Sequence, residues 1–282
     1  MNNPGTSAAL AKYLPRDFKS DLHPVWCPGC GDFGVVAALT RALAQLDRPA
    51  EEIAVVSGIG CSSRLPAYTS AYGFHGVHGR ALPTAIGLKL ARPDLEVIAV
   101  GGDGDGYSIG GNHFLHACRR NVDMLYLVMD NRVYGMTKGQ PSPTTEADWE
   151  CSMAPRGTGL APFNPMVLAL AAGANFVARG FTYDPNGLAR LIVEAIRWPG
   201  FSFLEVLSPC PTFRPEQKDW KRLAHAGLQE GFGDVAQATA ALFADDGFGT
   251  GVFYRGSRSP DLPAALPAAT AGLSDIASQF QV

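Results

Sequence analysis

Charge is scarce in this chain. Only 17% of its 282 residues are Asp, Glu, Lys or Arg, against roughly 25% in ordinary soluble chains. Neither sign is in surplus, since 23 Lys and Arg stand against 26 Asp and Glu for a formal net charge of −3. That balance argues against a nucleic-acid footprint, which needs a basic patch or a high pI. Long apolar runs are also missing. No stretch reaches the roughly 18 residues of a membrane span, and residues 1–19 carry no apolar secretory core. The expected location is the cytoplasm, where thiols stay reduced and bind metal more readily than each other. Six cysteines are too few for a disulfide scaffold, and a chain this long buries a core without such staples. The glycine run at 101–106 is not a dinucleotide fingerprint, since G-x-G-x-x-G would need Gly after Gly104 and Gly106 where Ile109 stands, and no G-x-x-x-x-G-K-[ST] loop occurs.

Turn formers are in excess. The 32 glycines and 21 prolines make up about a fifth of the chain, where roughly 12% is typical. Apolar content is an ordinary 46%. Low charge with abundant turns suggests a surface partly hidden against a partner.

Periodicity organises the middle of the chain. Residues 31–46 carry Val35, Val36, Leu39, Leu43 and Leu46 at helical spacing. Residues 53–57, 96–100, 124–129, 175–178 and 201–207 read as short apolar strands, and 80–90, 109–120, 166–172 and 187–197 as helices. Strands alternating with helices predict an α/β fold, a mostly parallel sheet with helices on both faces. Strand runs that are apolar throughout fit a sheet covered on both sides. Residues 1–24 read as an N-terminal arm, 25–220 as the binding domain, and 221–282 as a C-terminal extension without clear strands. A Gly/Pro/Ser/Thr-rich loop spans 135–165.

Ligands of an open parallel sheet sit beyond the carboxyl ends of its strands, and the unusual residues cluster there. Gly102-Asp103-Gly104 ends one predicted strand, and after a spacer of 25 residues, 105–129, Asp130-Asn131 ends the next. Two hard oxygen donors from neighbouring strand ends suit Mg²⁺, which takes its other ligands from phosphate and water. Flanking glycines let backbone N–H groups approach a diphosphate. The alternative is an acidic turn, because Asp and Gly commonly make turns. Cys27-Pro-Gly-Cys30 is a C-x-x-C unit, and Cys61 and Cys210 each lie in a strand-end loop. Four thiols on one sheet edge suit an iron–sulfur cluster or a structural zinc; the pair Cys27/Cys30 alone would suit a redox dithiol. Cys118 and Cys151 read as ordinary packing residues. The pairs His75/His78 and His113/His116 have H-x-x-H spacing but no third ligand at metal spacing, which argues against zinc there.

Seven ordered motifs carry a resemblance. They are residues 26–32 (WCPGCGD), 58–64 (GIGCSSR), 78–83 (HGRALP), 101–105 (GGDGD), 110–113 (GGNH), 134–140 (YGMTKGQ) and 208–211 (SPCP). Together they resemble the β subunit of 2-oxoacid:ferredoxin oxidoreductases over about residues 20–215, most of all the 2-oxoglutarate enzymes. The glycine-aspartate segment resembles the thiamine diphosphate motif, with Asp130 in place of its first asparagine.

The resemblance implies that Cys27, Cys30, Cys61 and Cys210 bind one [4Fe-4S] cluster. It implies that Asp103, Asn131 and the Val133 carbonyl hold Mg²⁺. The diphosphate is then cradled by Ile59, Gly60, Cys61 and Ser62, by Gly104 and Asp105, and by Gly135 and Met136. His78, Gly79 and Arg80 line the same cofactor. Arg64 and Lys138, one loop beyond, are candidates for an anionic substrate group, since guanidinium pairs well with carboxylate. The implied reaction is CoA-dependent oxidative decarboxylation of a 2-oxoacid to acyl-CoA and CO₂, with one-electron transfer to ferredoxin, reversible as reductive carboxylation. Pyruvate or broad-range specificity, or a non-oxidative thiamine diphosphate decarboxylase subunit, are the alternatives. Thiamine enzymes also need a glutamate from a pyrimidine-binding domain, and no second α/β module exists here to supply it. The resemblance places it in an α or fused γα subunit, in a heterotetramer of two α and two β, so the chain alone is expected to be inactive.

Overall fold

In the computed structural model, residues 12–227 and 230–259 are described. Residues 1–11 of the expected arm, and 228–229 and 260–282 of the expected extension, lie outside them. Eight strands form one sheet in the order β2-β1-β3-β4-β6-β5-β8-β7. They are β1 (Ile53–Ser57), β2 (Tyr72–His75), β3 (Glu96–Gly102), β4 (Met124–Asp130), β5 (Phe176–Phe181), β6 (Phe201–Leu207), β7 (His225–Ala226) and β8 (Gly249–Arg255). Every pairing is parallel except that of β5 with β8.

Alternation along each strand feeds two cores. Ile53 and Val55 face one cluster while Ala54 and Val56 face the other; Leu125 and Leu127 oppose Tyr126 and Val128 in the same way. That division explains strands that are apolar throughout. Helices α1 (Asp32–Gln45) and α5 (Pro185–Arg197) cover the first face. Helices α2 (Ala81–Ala91), α3 (Gly111–Arg120) and α4 (Pro165–Ala172) cover the second, joined there by α7 (Val235–Ala244), which follows the short α6 (Trp220–Leu223). Local chemistry starts two of them. Asn164 caps α4 by accepting from the Val167 N–H, Asp184 caps α5 by accepting from the Gly187 N–H, and each helix opens on proline.

The expected strands and helices of residues 31–207 are present, with ends moved by a few residues. Three strands, β2, β7 and β8, are additional. β2 is an exposed edge of aromatic and glycine residues without apolar alternation. The expectation of a strand-free tail is corrected by β8, whose Gly249-Thr250-Gly251 opening conceals its strand character and whose pairing with β5 shifts register at Val177/Ala178. A buried ion network pins this segment. Arg179 of β5 donates Nε to Glu205 of β6 at 2.7 Å, and its Nη1 to Asp245 and, at 3.2 Å, to the Gly249 carbonyl.

Candidate active site

Strands β1, β3, β4 and β6 are consecutive neighbours, so their carboxyl-end loops share one edge of the sheet. Two cavities of about 160 Å³ each open there. The first lies between residues 59–62, His78, 102–105 and 131–137. It brings together Ile59, Gly60, Cys61, Ser62, His78, Asp103, Gly104, Asp105, Asn131, Val133, Gly135 and Met136. The chain is built to pass close here. A Cβ on Gly104 would strike the Tyr134 ring, and one on Gly58 would strike the Asp105 carboxylate. Gly104 to Ile109 form a π-helical turn that runs into α3.

Asp103 directly follows β3 and Asp130 ends β4, both buried. The Thr144 hydroxyl lies 2.8 Å from Asp130 Oδ1 and 3.2 Å from Asp103 Oδ2. Burial pushes both carboxyls above the usual carboxylate range, and for Asp130 the charge of Asp103 adds to the push. Two desolvated carboxylates facing each other are a pair that a divalent cation would settle. Asn131 Oδ1 accepts from the Val133 N–H at 3.1 Å. Asp103, Asn131 and Val133 all line the first cavity, and their oxygens are of the kind a Mg²⁺ ion takes.

Asp105, which lines the first cavity, also binds the loops around it. Its Oδ1 accepts the Ile59 N–H at 2.9 Å and the Gly79 N–H at 2.7 Å, and His78 Nδ1 lies 2.6 Å from it. Its Oδ2 is buried without a partner. The side chain thus ties three cofactor loops together. Gly79 is buried behind His78, and Arg80 is exposed with Nη1 toward the Gly79 and Ile109 carbonyls. Neither lines the cavity.

The second cavity is ringed by Cys27, Cys30, Cys61 and Cys210, with Arg64 at its rim. All four cysteines are unpaired. Gly135 separates two of them, since a Cβ there would lie 3.6 Å from Cys210 Sγ and 3.8 Å from Cys61 Sγ. Burial and neighbouring acid groups push the Cys61 thiol up to about 11, and Cys30 and Cys210 shift the same way. Among the described residues no three His, Cys, Asp or Glu side chains converge on a single ion position. The four sulfurs instead enclose a cavity, which could hold a cluster of several irons. Neither H-x-x-H pair gains a third ligand there. Lys138 lines neither cavity and is exposed in a turn, at φ 78°.

Several residues escape sequence reasoning. Trp26 Nε1 donates to the Cys61 carbonyl at 2.8 Å. Asp32, buried beside Cys30, accepts the Ser208 hydroxyl at 2.7 Å, and desolvation lifts its carboxyl to about 6. Gln217, fully buried, bridges the Asn131 and Cys210 backbones. Thr144 lies inside the long loop. Only Trp26 and Asp32, flanking the C-x-x-C, carried any local signal.

Known proteins agree with this geometry. Residues 58–206 match the thiamine pyrophosphate enzyme C-terminal TPP-binding domain. The 2-oxoglutarate oxidoreductase subunit KorB of Mycobacterium tuberculosis is 44% identical over 82% of this chain and 62% of its own length. Subunit beta of 2-oxoacid:ferredoxin oxidoreductase 2 from Aeropyrum pernix is 43% identical over 78% of this chain and 72% of its own. The 2-oxoglutarate synthase subunit KorB of Archaeoglobus fulgidus is 45% identical over 73% and 75%. The solved 2-oxoglutarate:ferredoxin oxidoreductase of Magnetococcus marinus, with 2-oxoglutarate, coenzyme A and succinyl-CoA bound, superimposes with a TM-score of 0.87 at 36% identity, over 96% of this chain and 97% of that one. The chain spans about 62% of the mycobacterial relative. Cavities, motifs and kinship converge: this chain belongs to the β subunits of the 2-oxoacid:ferredoxin oxidoreductases, built on the thiamine pyrophosphate-binding domain.

Proposed function

We propose that this chain is the β subunit of a cytoplasmic 2-oxoglutarate:ferredoxin oxidoreductase, converting 2-oxoglutarate and CoA to succinyl-CoA and CO₂. One observation carries the reading. The diphosphate cavity and the four-cysteine cavity share a wall made of Cys61, Asn131, Gly135 and Met136.

Bound thiamine diphosphate supplies the means to cleave the carboxylate from the 2-oxoacid, and a [4Fe-4S] cluster supplies single-electron transfer. Asp103, Asn131 and Val133 hold Mg²⁺ against the diphosphate. The N–H groups of Gly104 and Asp105, and the loops 59–62 and 135–136, receive its oxygens. Asp105 keeps those loops in register through Ile59 and Gly79. Cys27, Cys30, Cys61 and Cys210 would hold the cluster, in the cavity that shares this wall. Arg64, which lines the cysteine cavity, would pair with a substrate carboxylate, and Lys138, exposed in its turn, is the other candidate. The glutamate that thiamine chemistry requires comes from an α subunit, which makes the assembly obligate, as a heterotetramer of two α and two β.

Anaerobic purification with iron and thiamine counted per chain tests this, followed by assays on 2-oxoglutarate and pyruvate with CoA and ferredoxin. The expected result is about four irons and one thiamine per chain, activity on 2-oxoglutarate only with the α subunit, and none from the isolated chain. Thiamine without iron would favour the non-oxidative decarboxylase. Turnover by the chain alone would overturn obligate partnership.

A further inference from the structure

We infer that Gln217 is a positioning residue that locks the metal-and-diphosphate loop to the cluster loop, so that the two cofactor sites keep one fixed geometry. This rests on the reading above of Asn131 as a metal ligand and Cys210 as a cluster ligand.

Gln217 lies in a single 3₁₀ turn, Pro215–Asp219, and is 0% exposed. Its Oε1 accepts the Cys210 N–H at 2.8 Å, and its Nε2 donates to the Asn131 carbonyl at 2.7 Å. The amide orientation is fixed by chemistry, because a backbone N–H only donates and a carbonyl only accepts. Asn131 follows the end of β4, and Cys210 lies three residues beyond the end of β6. Those strands are paired neighbours. The Cys210 carbonyl is taken as well, by the N–H groups of Arg214 at 2.8 Å and Phe213 at 3.3 Å. Arg214 adds a second tie, Nη1 to the Arg132 carbonyl at 3.0 Å. Among the described residues, Gln217 alone bonds to both Asn131 and Cys210 through one side chain.

Without the amide, a partly buried N–H at one site and a carbonyl at the other lose their partners together. One substitution, at a residue that lines neither cavity, then disturbs both cofactors. A residue that merely filled space would disturb neither in this paired way.

The test uses the full chain in its co-purified complex, prepared anaerobically as wild type, Gln217→Leu and Gln217→Glu. Thiamine diphosphate affinity is read by calorimetry with Mg²⁺, and the reduced cluster by electron paramagnetic resonance. At wild-type iron content, Gln217→Leu is expected to weaken thiamine diphosphate by about tenfold or more and to shift the cluster signal. Gln217→Glu accepts from Cys210 in either protonation state but donates to Asn131 only when protonated. Its thiamine affinity is therefore expected to recover as pH falls, a step that the wild type lacks. Gln217→Leu moving one readout without the other, or neither by more than about twofold, overturns the proposal. Where Gln217→Leu fails to fold or to assemble a cluster, Gln217→Glu decides, and an affinity that follows the wild-type pH profile overturns it. Wild-type complex lacking iron or thiamine refutes the parent reading, and this one with it, before any variant is made.

Discussion

The Asp105 carboxylate accepts the backbone N–H of Gly79 at 2.7 Å, and the same oxygen accepts Ile59 at 2.9 Å. A residue that sits in the glycine-rich phosphate motif therefore acts on the loops around it. Asp105→Ala leaves both N–H groups without a partner. The expected cost is about 2–4 kcal/mol of stability and at least about tenfold in thiamine diphosphate affinity. Asp105→Asn keeps one oxygen but presses an NH₂ toward Gly58, where the native Oδ2 already lies close, so an intermediate loss is expected. Urea denaturation and calorimetric titration check both variants. Unchanged affinity in the Ala variant would refute the clamp.

Asp103 and Asp130 make the opposite case, in which a site costs the empty fold stability. Each is buried, each carboxyl is pushed upward, and one hydroxyl, that of Thr144, lies within reach of both. Asp103→Asn removes one of two mutually repelling desolvated charges. The cofactor-free protein is expected to gain about 1–3 kcal/mol and a few degrees in Tm, while Mg²⁺-dependent thiamine binding is lost. Thermal melts with and without Mg²⁺ and thiamine diphosphate measure both effects. A variant less stable than wild type in the cofactor-free state would show that the pair is not strained.

How much of this was legible follows from where the information lies. Apolar runs such as β1, whose Val55 and Val56 face opposite cores, announce a sheet covered on both sides. Gly102-Asp103-Gly104 and Asp130-Asn131 carry their chemistry in their own side chains, and the sheet order then makes them neighbours. Gln217 could not be read, because its partners are backbone atoms of Asn131 and Cys210, 86 and 7 residues away. β8 escaped because its first residues are Gly249-Thr250-Gly251, and the side chain that ties its start to the sheet is Arg179, in another strand. The direction of the Asp105 carboxylate was equally hidden, since the loops it binds meet only in the fold.

Asp32 gives a pH dependence. Its carboxyl titrates near 6 in the folded chain against 3.8 for the ordinary group, with desolvation as the main cause. A folded value above the unfolded one means that protonation favours the fold. For the cofactor-free chain, the contribution from Asp32 is fully favourable below about pH 4, declines between 4 and 6, and is lost above. The span corresponds to about 3 kcal/mol. Asp32→Asn is expected to flatten this step while still accepting from the Ser208 hydroxyl. Urea midpoints from pH 4 to 8 for both proteins measure it, and parallel profiles would exclude Asp32 as the source.

Arg179 is the residue on which the far side of the sheet depends. Its guanidinium is held by Glu205 and Asp245, and the side chains of all three are less than a tenth exposed. Exposed pairs such as Arg92 with Asp94 contribute little, because water screens them and the side chains lose entropy on pairing. A desolvated network behaves differently: its net value as a whole is small, but breaking it strands charges with no solvent to receive them. Arg179→Met is therefore expected to cost about 3–5 kcal/mol, measured by urea denaturation. The loss should be local as well as global, because Arg179 also binds the Gly249 carbonyl at the start of β8. Amide exchange in Gly249–Arg255 is expected to quicken before that in β4. Adding Glu205→Gln and Asp245→Asn to Arg179→Met removes the stranded charges and should recover most of the stability. A single variant as mild as an exposed Arg substitution would mean that the network holds nothing in place.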